Sequence, residues 1–313
     1  MMSLASAALL LGGGPAATSQ NRGQVTQAER GYFVEQNRTA NWYFDQQSKV
    51  VNAVKAVKPG RKGVIEAFVV VAGIDADPVF GREASATAKV LTRRFRAQGR
   101  TITLSAGNGA GKQANAHGSP ANLWAVLAGV ASKMNRDEDV LILYTTSHGG
   151  KKVGLIYKDG QSGFGMIAPN HMQRMLKGLG IKRKLVMISA CYSGEFIPAL
   201  LNDDSVIITA ASSIKTSFGC NPGNDWTFFG DALINQSMRE GLPLVATKNA
   251  AFRKISEWEL GNGLTPSEPQ YYAGADSKKW LSALENRMPR ARTKPVGTPA
   301  IAVLKKPMPA KQP

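Results

Sequence analysis

The stretch KLVMISACYSGEF, Lys184–Phe196, is the part of the sequence from which the fold can be worked out. Its first part, residues 184–190, is a nearly continuous apolar run, which is typical of a strand buried on both faces of a parallel sheet. The run stops at Cys191, one of only two cysteines among 313 residues. A single thiol at a strand end is most often a small core residue, so Cys191 alone does not indicate chemistry.

Similar apolar runs recur along the chain, and segments with helical periodicity separate them. The predicted strands cover residues 63–73, 101–104, 139–146, 184–190 and 205–210, and the predicted helices cover 42–57, 82–97, 119–134, 169–178, 196–201, 226–240 and 243–261. This alternation predicts an α/β fold with a mostly parallel sheet and helices on both faces. In such sheets the functional groups lie beyond the carboxyl ends of the strands, where Cys191 stands.

The two ends of the chain differ in composition from the predicted main domain, residues 63–282. Residues 1–20 combine an apolar run with small residues and resemble a signal peptide that lacks its basic start. We therefore expect a leader there, and a periplasmic or secreted location is favoured over a cytoplasmic one. Residues 21–62 are predicted to form a polar N-terminal extension, and the Pro-rich segment 283–313 a disordered tail. No apolar run is long enough to predict a membrane span.

The formal net charge is +17, with 39 lysines and arginines against 22 acidic residues. Many of the basic residues lie in the segment 283–313, with no aromatic residues between them. This pattern is typical of a solvated tail, and weak contact with anionic surfaces is the alternative. No nucleic-acid-binding motif is present, so we expect no specific nucleic-acid partner.

The stretch LILYTTSHGG, residues 141–150, places His148 just after another predicted strand. A thiolate nucleophile needs a base beside the sulfur and hydrogen-bond donors for the oxyanion that forms on attack. Because neighbouring parallel strands end at one sheet edge, His148 and Cys191 are expected to face each other. Gly149 cannot block a substrate carbonyl, and its N–H with that of Cys191 is a candidate oxyanion hole. The pair therefore predicts a cysteine hydrolase.

These two stretches resemble the His and Cys motifs of the legumain (asparaginyl endopeptidase) family, and most of all its bacterial members. The resemblance covers about residues 64–270 and includes ITAASSIKTSFGC, 208–220, and NDWTFFGDAL, 224–233. It implies a caspase-like peptidase domain of the caspase–hemoglobinase fold over 63–282, and the activity of a cysteine endopeptidase. It also implies that Cys191 is the nucleophile, that His148 is the general acid–base and that Gly149 is an oxyanion donor.

The same resemblance implies a pocket for the residue on the acyl side of the cut. Ser217 and Asp225 match residues that line it, Arg82 is what remains of a basic pair, and Ser189 stands where the family has an acid. Loss of that acid while Arg82 is kept favours Asn or Asp over Lys or Arg in substrates. The asparagine that orients the family's histidine is matched by Val79, so we expect Asp75 or Asp77 to orient His148 instead.

Two alternative functions are compatible with the same sequence. A transpeptidase would form the same acyl-enzyme and pass the acyl group to an amine, whereas an inactive scaffold would bind peptides or anionic surfaces through its basic ends. The expected partner is a peptide or protein substrate, and neither catalytic reading requires a metal or cofactor. Cys220, the other thiol, is predicted to be a buried core residue.

Overall fold

The strands of this protein form two sheets in a computed structural model that describes residues 31–107 and 115–304. The predicted leader and residues 305–313 lie outside the described part. Numbered along the chain, the strands are β1 Phe33–Glu35, β2 Ala67–Gly73, β3 Thr101–Ser105, β4 Val140–Thr146, β5 Gly149–Gly150, β6 Gly154–Asp159, β7 Gly163–Ile167, β8 Lys184–Ser189, β9 Ser205–Thr209 and β10 Gln270–Ala273.

The main sheet has six strands in the order β10-β9-β8-β4-β2-β3. All neighbours in it run parallel except β10, which pairs antiparallel with β9. Every residue of β2, β4 and β8 is buried, which is why these strands appear in the sequence as continuous apolar runs. The mostly parallel sheet predicted from the sequence is therefore confirmed.

Helices cover both faces of the main sheet, as the alternating pattern predicts. The α-helices are α1 Ala40–Ala56, α2 Pro78–Arg94, α3 Pro120–Lys133, α4 Pro169–Gly178, α5 Phe196–Leu200, α6 Leu244–Gly261 and α7 Ser277–Arg287. Helices α2, α6 and α7 pack on the face that includes Val69 and Val71, and the other four on the face that includes Phe68 and Val70. Among the described residues, no helix combines the length and apolar character needed to cross a bilayer.

The segment predicted as one helix over 226–240 has a different geometry. A π-helix, Gly230–Gln236, is followed by a 3₁₀-helix, Ser237–Glu240. A side chain at Gly230 would lie 2.2 Å from the Glu83 carboxylate, so this helix and α2 approach unusually closely. Periodicity alone predicts a helix here but does not distinguish its type.

A second sheet, with strand order β1-β7-β6-β5, was not predicted. Its strands pair antiparallel, and β5 follows His148 directly. The turn between β6 and β7, residues 160–162, starts at Gly160 directly after Asp159, and Asp-Gly is a hairpin signal in the sequence. Strand β1 lies within the predicted N-terminal extension, and it pairs with β7 of this sheet.

The C-terminal segment also differs from the expected tail. Helix α7 extends to Arg287, and Met288 and Ala300 are buried. Residues 294–300, here called the C-terminal strap, hydrogen-bond to the π-helix region through main-chain groups. The Val296 carbonyl accepts from Trp226 Nε1 at 2.8 Å, and Ala300 N–H donates to Asp231 Oδ2 at 2.8 Å. The disorder expected from Pro-rich composition therefore does not describe residues 283–304.

Candidate active site

Three neighbouring strands bring the candidate groups to one edge of the main sheet. Gly73 at the end of β2 lies opposite Thr146 at the end of β4, and Thr146 lies opposite Ser189 at the end of β8. A few residues beyond each of these ends come Asp77, His148 and Cys191. His148 therefore stands between an acid on one side and the thiol on the other.

The imidazole of His148 is held by Asp77. Its Nε2 lies 3.0 Å from Asp77 Oδ2, and its ring meets the Phe80 ring edge to face at 5.1 Å. Asp77 precedes Pro78, which starts α2, and its side chain makes no capping bond, so its carboxylate is available to the histidine. Val79 is fully buried and plays no part in this contact.

Asp75, the other acid expected near His148, has a different environment. It is 2% exposed, and its Oδ1 accepts a hydrogen bond from Asp77 N–H at 2.9 Å. Burial raises the pKa of Asp75, and the Asp77 N–H hydrogen bond and the charge of His148 oppose this effect. Asp75 therefore shapes the turn that presents Asp77, and Asp77 is the acid bonded to the histidine.

The Cys191 thiol is half-buried and lies against the loop after β9. Ser217 N–H donates to its Sγ at 3.3 Å, and the Ser217 hydroxyl lies 3.7 Å away. Tyr192, the next residue, has a φ of 56°, and its N–H donates to the Lys215 carbonyl at 2.8 Å. These contacts fix a sharp turn that presents the sulfur. Within the described ranges no direct hydrogen bond joins this sulfur to His148.

Cys220 remains a free thiol, like Cys191. Burial raises the pKa of Cys220 well above its usual value, so this thiol stays protonated and chemically quiet. Cys220 is nevertheless only partly buried and is not among the buried core residues, so the expectation of a core thiol is corrected in that respect.

Gly149 packs its backbone directly on the nucleophile loop. A Cβ at Gly149 would lie 2.0 Å from the Cys191 carbonyl oxygen, so no side chain fits there. Ile156 N–H donates to the His148 carbonyl, which leaves Gly149 at a non-hydrogen-bonded position of the β5–β6 pair. The Gly149 N–H consequently points away from β6. Both oxygens of Glu195 accept from Lys152 N–H, at 2.8 and 3.0 Å, and fasten the following turn.

Arg82 and Asp225 form an ion pair on the expected acyl-side pocket. Arg82 Nε lies 3.2 Å from Asp225 Oδ1 and also donates to the Asn224 carbonyl at 3.1 Å. The second oxygen, Asp225 Oδ2, accepts from Thr298 N–H at 2.7 Å. Gly297 in the C-terminal strap has a φ of +74°, and a side chain there would press on the Asp225 carboxylate. The strap thus holds Asp225, one of the residues expected to line the pocket, and this contact was not predicted from the sequence.

Ser189 does not lie at the surface. It is 2% exposed, and its hydroxyl lies 2.9 Å from Thr227 Oγ1. The expected substrate contact at Ser189 is therefore corrected: strand β8 is buried on both faces to its last residue, so this side chain lies beneath the site.

A buried acid that the sequence analysis missed lies in the same network. The Glu83 carboxylate is fully buried and accepts from Tyr144 OH at 2.6 Å and Thr227 N–H at 2.7 Å. A signal was present, since Glu83 stands four residues before Thr87 and eight before Leu91 on the buried face of α2.

Part of the chain is similar to a known peptidase family. Residues 111–258 match the model of the peptidase C13 family, which is the legumain family. This match supports a cysteine peptidase. The matched segment contains His148, Cys191, Ser217 and Asp225. Arg82 and Asp77 lie before it.

Solved structures and curated proteins add little. Caspase-1 from Spodoptera frugiperda is similar at 12% identity, with a TM-score of 0.47, over 70% of this chain and 93% of that one. No curated protein gives a significant match.

Proposed function

We propose that this cysteine peptidase is an endopeptidase with Cys191 as its nucleophile and His148 as its general acid–base. The observation that carries the proposal is the row of Asp77, His148 and Cys191 at the ends of three adjacent strands. Both the imidazole and the Asp77 carboxylate are about two-fifths exposed, so a substrate can reach them.

The reaction begins with transfer of the Cys191 proton to His148, and the thiolate attacks the peptide carbonyl. Collapse of the tetrahedral intermediate breaks the C–N bond, and the imidazolium gives its proton to the leaving amine. Water, deprotonated by the same imidazole, then releases the acyl group and restores the thiol. Asp77 accepts from His148 Nε2–H, which leaves Nδ1 as the basic nitrogen and fixes the ring.

The oxyanion is stabilised by the N–H groups of Gly149 and Cys191. The Gly149 N–H points away from β6, and its backbone lies on that of Cys191, so the two donors are close together. Donors aimed at a developing oxyanion typically contribute about 10²–10³ in rate each. The contact of Ser217 N–H with the sulfur sets the direction from which the thiolate attacks.

The acyl-side pocket favours Asn or Asp. Both oxygens of Asp225 are occupied, by Arg82 and by Thr298 N–H, so this acid has little capacity left for a substrate cation. Arg82 uses its Nε and Nη2 groups on Asp225 and on carbonyls, whereas its Nη1 has no partner among the described residues. The remaining donors suit an amide or carboxylate oxygen.

A peptide-library cleavage profile on the purified protein tests the proposal. Cys191→Ala and His148→Ala should each abolish cleavage, and the double variant should resemble either single one because the two groups act as a unit. An electrophilic peptide probe should label Cys191 and spare Cys220, which makes Cys220→Ala the matched control. Wild-type turnover in either single variant would overturn the assignment.

A further inference from the structure

Two carboxylates and an imidazole converge beside the catalytic row. One carboxylate oxygen of Asp75, one of Asp77 and one ring nitrogen of His148 all lie within 4.8 Å of one another. The proposed mechanism uses the contact between Asp77 and His148 but gives no role to the Asp75 carboxylate.

Asp75 has an oxygen that the protein leaves unsatisfied. Its Oδ1 accepts from Asp77 N–H, whereas its buried Oδ2 has no hydrogen-bond partner in the part of the chain that the structure describes. The charge of Lys158 acts on this carboxylate but does not supply a hydrogen bond to that oxygen. Buried polar atoms are rarely left without a partner, so a proton, a water or a cation is expected there. An Asp77 oxygen and a His148 nitrogen lie close enough to act as further ligands, and this favours a cation over a proton or a water.

We propose that Asp75, Asp77 and His148 form a binding site for a divalent transition cation, with Zn²⁺ as the ion that fits best. Ca²⁺ and Mg²⁺ take oxygen ligands, whereas a set of two carboxylates and one imidazole suits Zn²⁺. Three protein ligands and one water complete a tetrahedral site.

The geometry requires a closure of at most about 1.5 Å. Zinc ligands lie about 2.0–2.2 Å from the ion, so two ligands of a tetrahedral site are about 3.3–3.6 Å apart. The three groups lie within 4.8 Å before any ion binds. The side chains of His148 and Asp77 are 39% and 40% exposed, so they can shift towards the fixed, buried Asp75. Binding through Nε2 requires the ring proton of His148 to move to Nδ1, because a neutral imidazole coordinates zinc through the nitrogen that carries no proton.

Occupation of the site inhibits the peptidase. An imidazole held by the cation is no longer positioned to accept the proton of Cys191. This consequence rests on the proposed function, because it requires His148 to be the general acid–base. The binding of the cation does not depend on that role.

The full chain carrying Cys191→Ala tests the binding, because it removes the thiolate that would otherwise compete for zinc. Calorimetric titration with Zn²⁺ should give one site per chain, and Co²⁺ should give the visible absorption of a tetrahedral complex. Asp75→Asn and His148→Ala, each added to Cys191→Ala, should weaken binding at least tenfold. Asp137→Asn, which changes an exposed acid elsewhere, should leave binding unchanged.

Loss of zinc binding in Cys191→Ala would overturn the site, since the thiolate would then be the ligand. Unchanged binding in the Asp75→Asn variant would overturn it as well. Thermal melts check that each variant folds. If Asp75→Asn does not fold, His148→Ala provides the test instead, because the His148 side chain is partly exposed and its removal leaves little cavity. In the wild-type protein, Zn²⁺ should inhibit cleavage and a chelator should restore it. Binding without inhibition would overturn the inhibitory role and the assignment of His148, but not the site.

Discussion

Gly149→Ala is expected to disable the peptidase through a contact that can be measured in the structure. The added Cβ would lie 2.0 Å from the Cys191 carbonyl oxygen and 3.0 Å from the Cys191 nitrogen. The oxygen belongs to the backbone of the nucleophile loop, so no side chain can rotate away. Relief to 3.0 Å requires a shift of at least 1.0 Å between the strand that follows His148 and the loop that presents the sulfur. A misplacement of about 1 Å can reduce turnover by about 10²-fold.

The matched control is Gly150→Ala, the other residue of β5. Its Cβ would meet the Val153 side chain at 3.0 Å, which can move, and neither glycine has a left-handed φ. Both substitutions restrict the unfolded chain equally. We expect kcat/KM to fall about 100-fold, or about 2.7 kcal/mol of barrier, for Gly149→Ala. For Gly150→Ala we expect a change within about threefold.

The assay is steady-state cleavage of the best library peptide, with a thermal melt of each variant to separate misfolding from misalignment. A folded Gly149→Ala protein that cleaves within threefold of the wild type would refute the reasoning. It would mean that the Gly149 backbone does not need its close contact with Cys191.

Three further predictions concern specificity, stability and the C-terminus. Arg82→Ala should lower kcat/KM for the favoured Asn or Asp substrate by about 10–100-fold and change cleavage after Ala far less, and a wild-type profile dominated by Lys or Arg would contradict this. Burial lowers the pKa of Lys184 to about 8, so the unfolded chain binds more protons above that pH and stability should rise with pH up to about 10.5. Lys184→Met should remove this rise in urea unfolding and stabilise the protein at pH 7 by at most about 3 kcal/mol, whereas equal pH slopes in the two proteins would contradict the assignment. Removal of residues 291–313, which include the strap, should lower the melting temperature and kcat/KM, while removal of 305–313 should change neither. Equal melting temperatures and equal kcat/KM values for the two truncated proteins would contradict a role for the strap.

The main sheet could be predicted because strands that are buried on both faces are recognisable in the sequence as continuous apolar runs. Strands β2, β4 and β8 have no exposed face, so each is an uninterrupted apolar run. The first run was predicted to start at residue 63, but β2 starts at Ala67. The Glu66 carboxylate just before it accepts from Arg61 and pairs with Arg100 at 2.5 Å, so that polar contact precedes the strand.

The second sheet and the strap escaped prediction for a different reason. Strands β6 and β7 are short and contain Gly163 and Gly165, so their alternation is weak. The C-terminal strap is held by its own main-chain groups, which bond to Trp226, Asp231 and Asn235. Main-chain bonding leaves no mark on the composition of the segment that provides it, and a Pro-rich composition alone predicts disorder.

The choice between Asp75 and Asp77 shows where sequence reasoning ends. Both acids follow the same strand, and nothing in their spacing separates them. In the structure Asp75 points its Oδ1 at the Asp77 N–H and is buried, so only Asp77 remains exposed beside His148. The geometry of this turn therefore determines that Asp77, and not Asp75, is hydrogen-bonded to His148.

Ser189 stands where the legumain family has an acid, and this difference affects which charged groups a substrate can meet. Another acidic side chain, Glu83, lies beneath the expected pocket, and its network includes Thr227, the partner of the Ser189 hydroxyl. Both Glu83 oxygens accept hydrogen bonds inside the protein and the side chain is fully buried, so this acid is not available to a substrate. Asp225 is likewise occupied on both oxygens. In the proposed pocket, the donors left on Arg82 are therefore the groups that we expect a substrate side chain to meet, and we expect them to bind an oxygen acceptor on the acyl side.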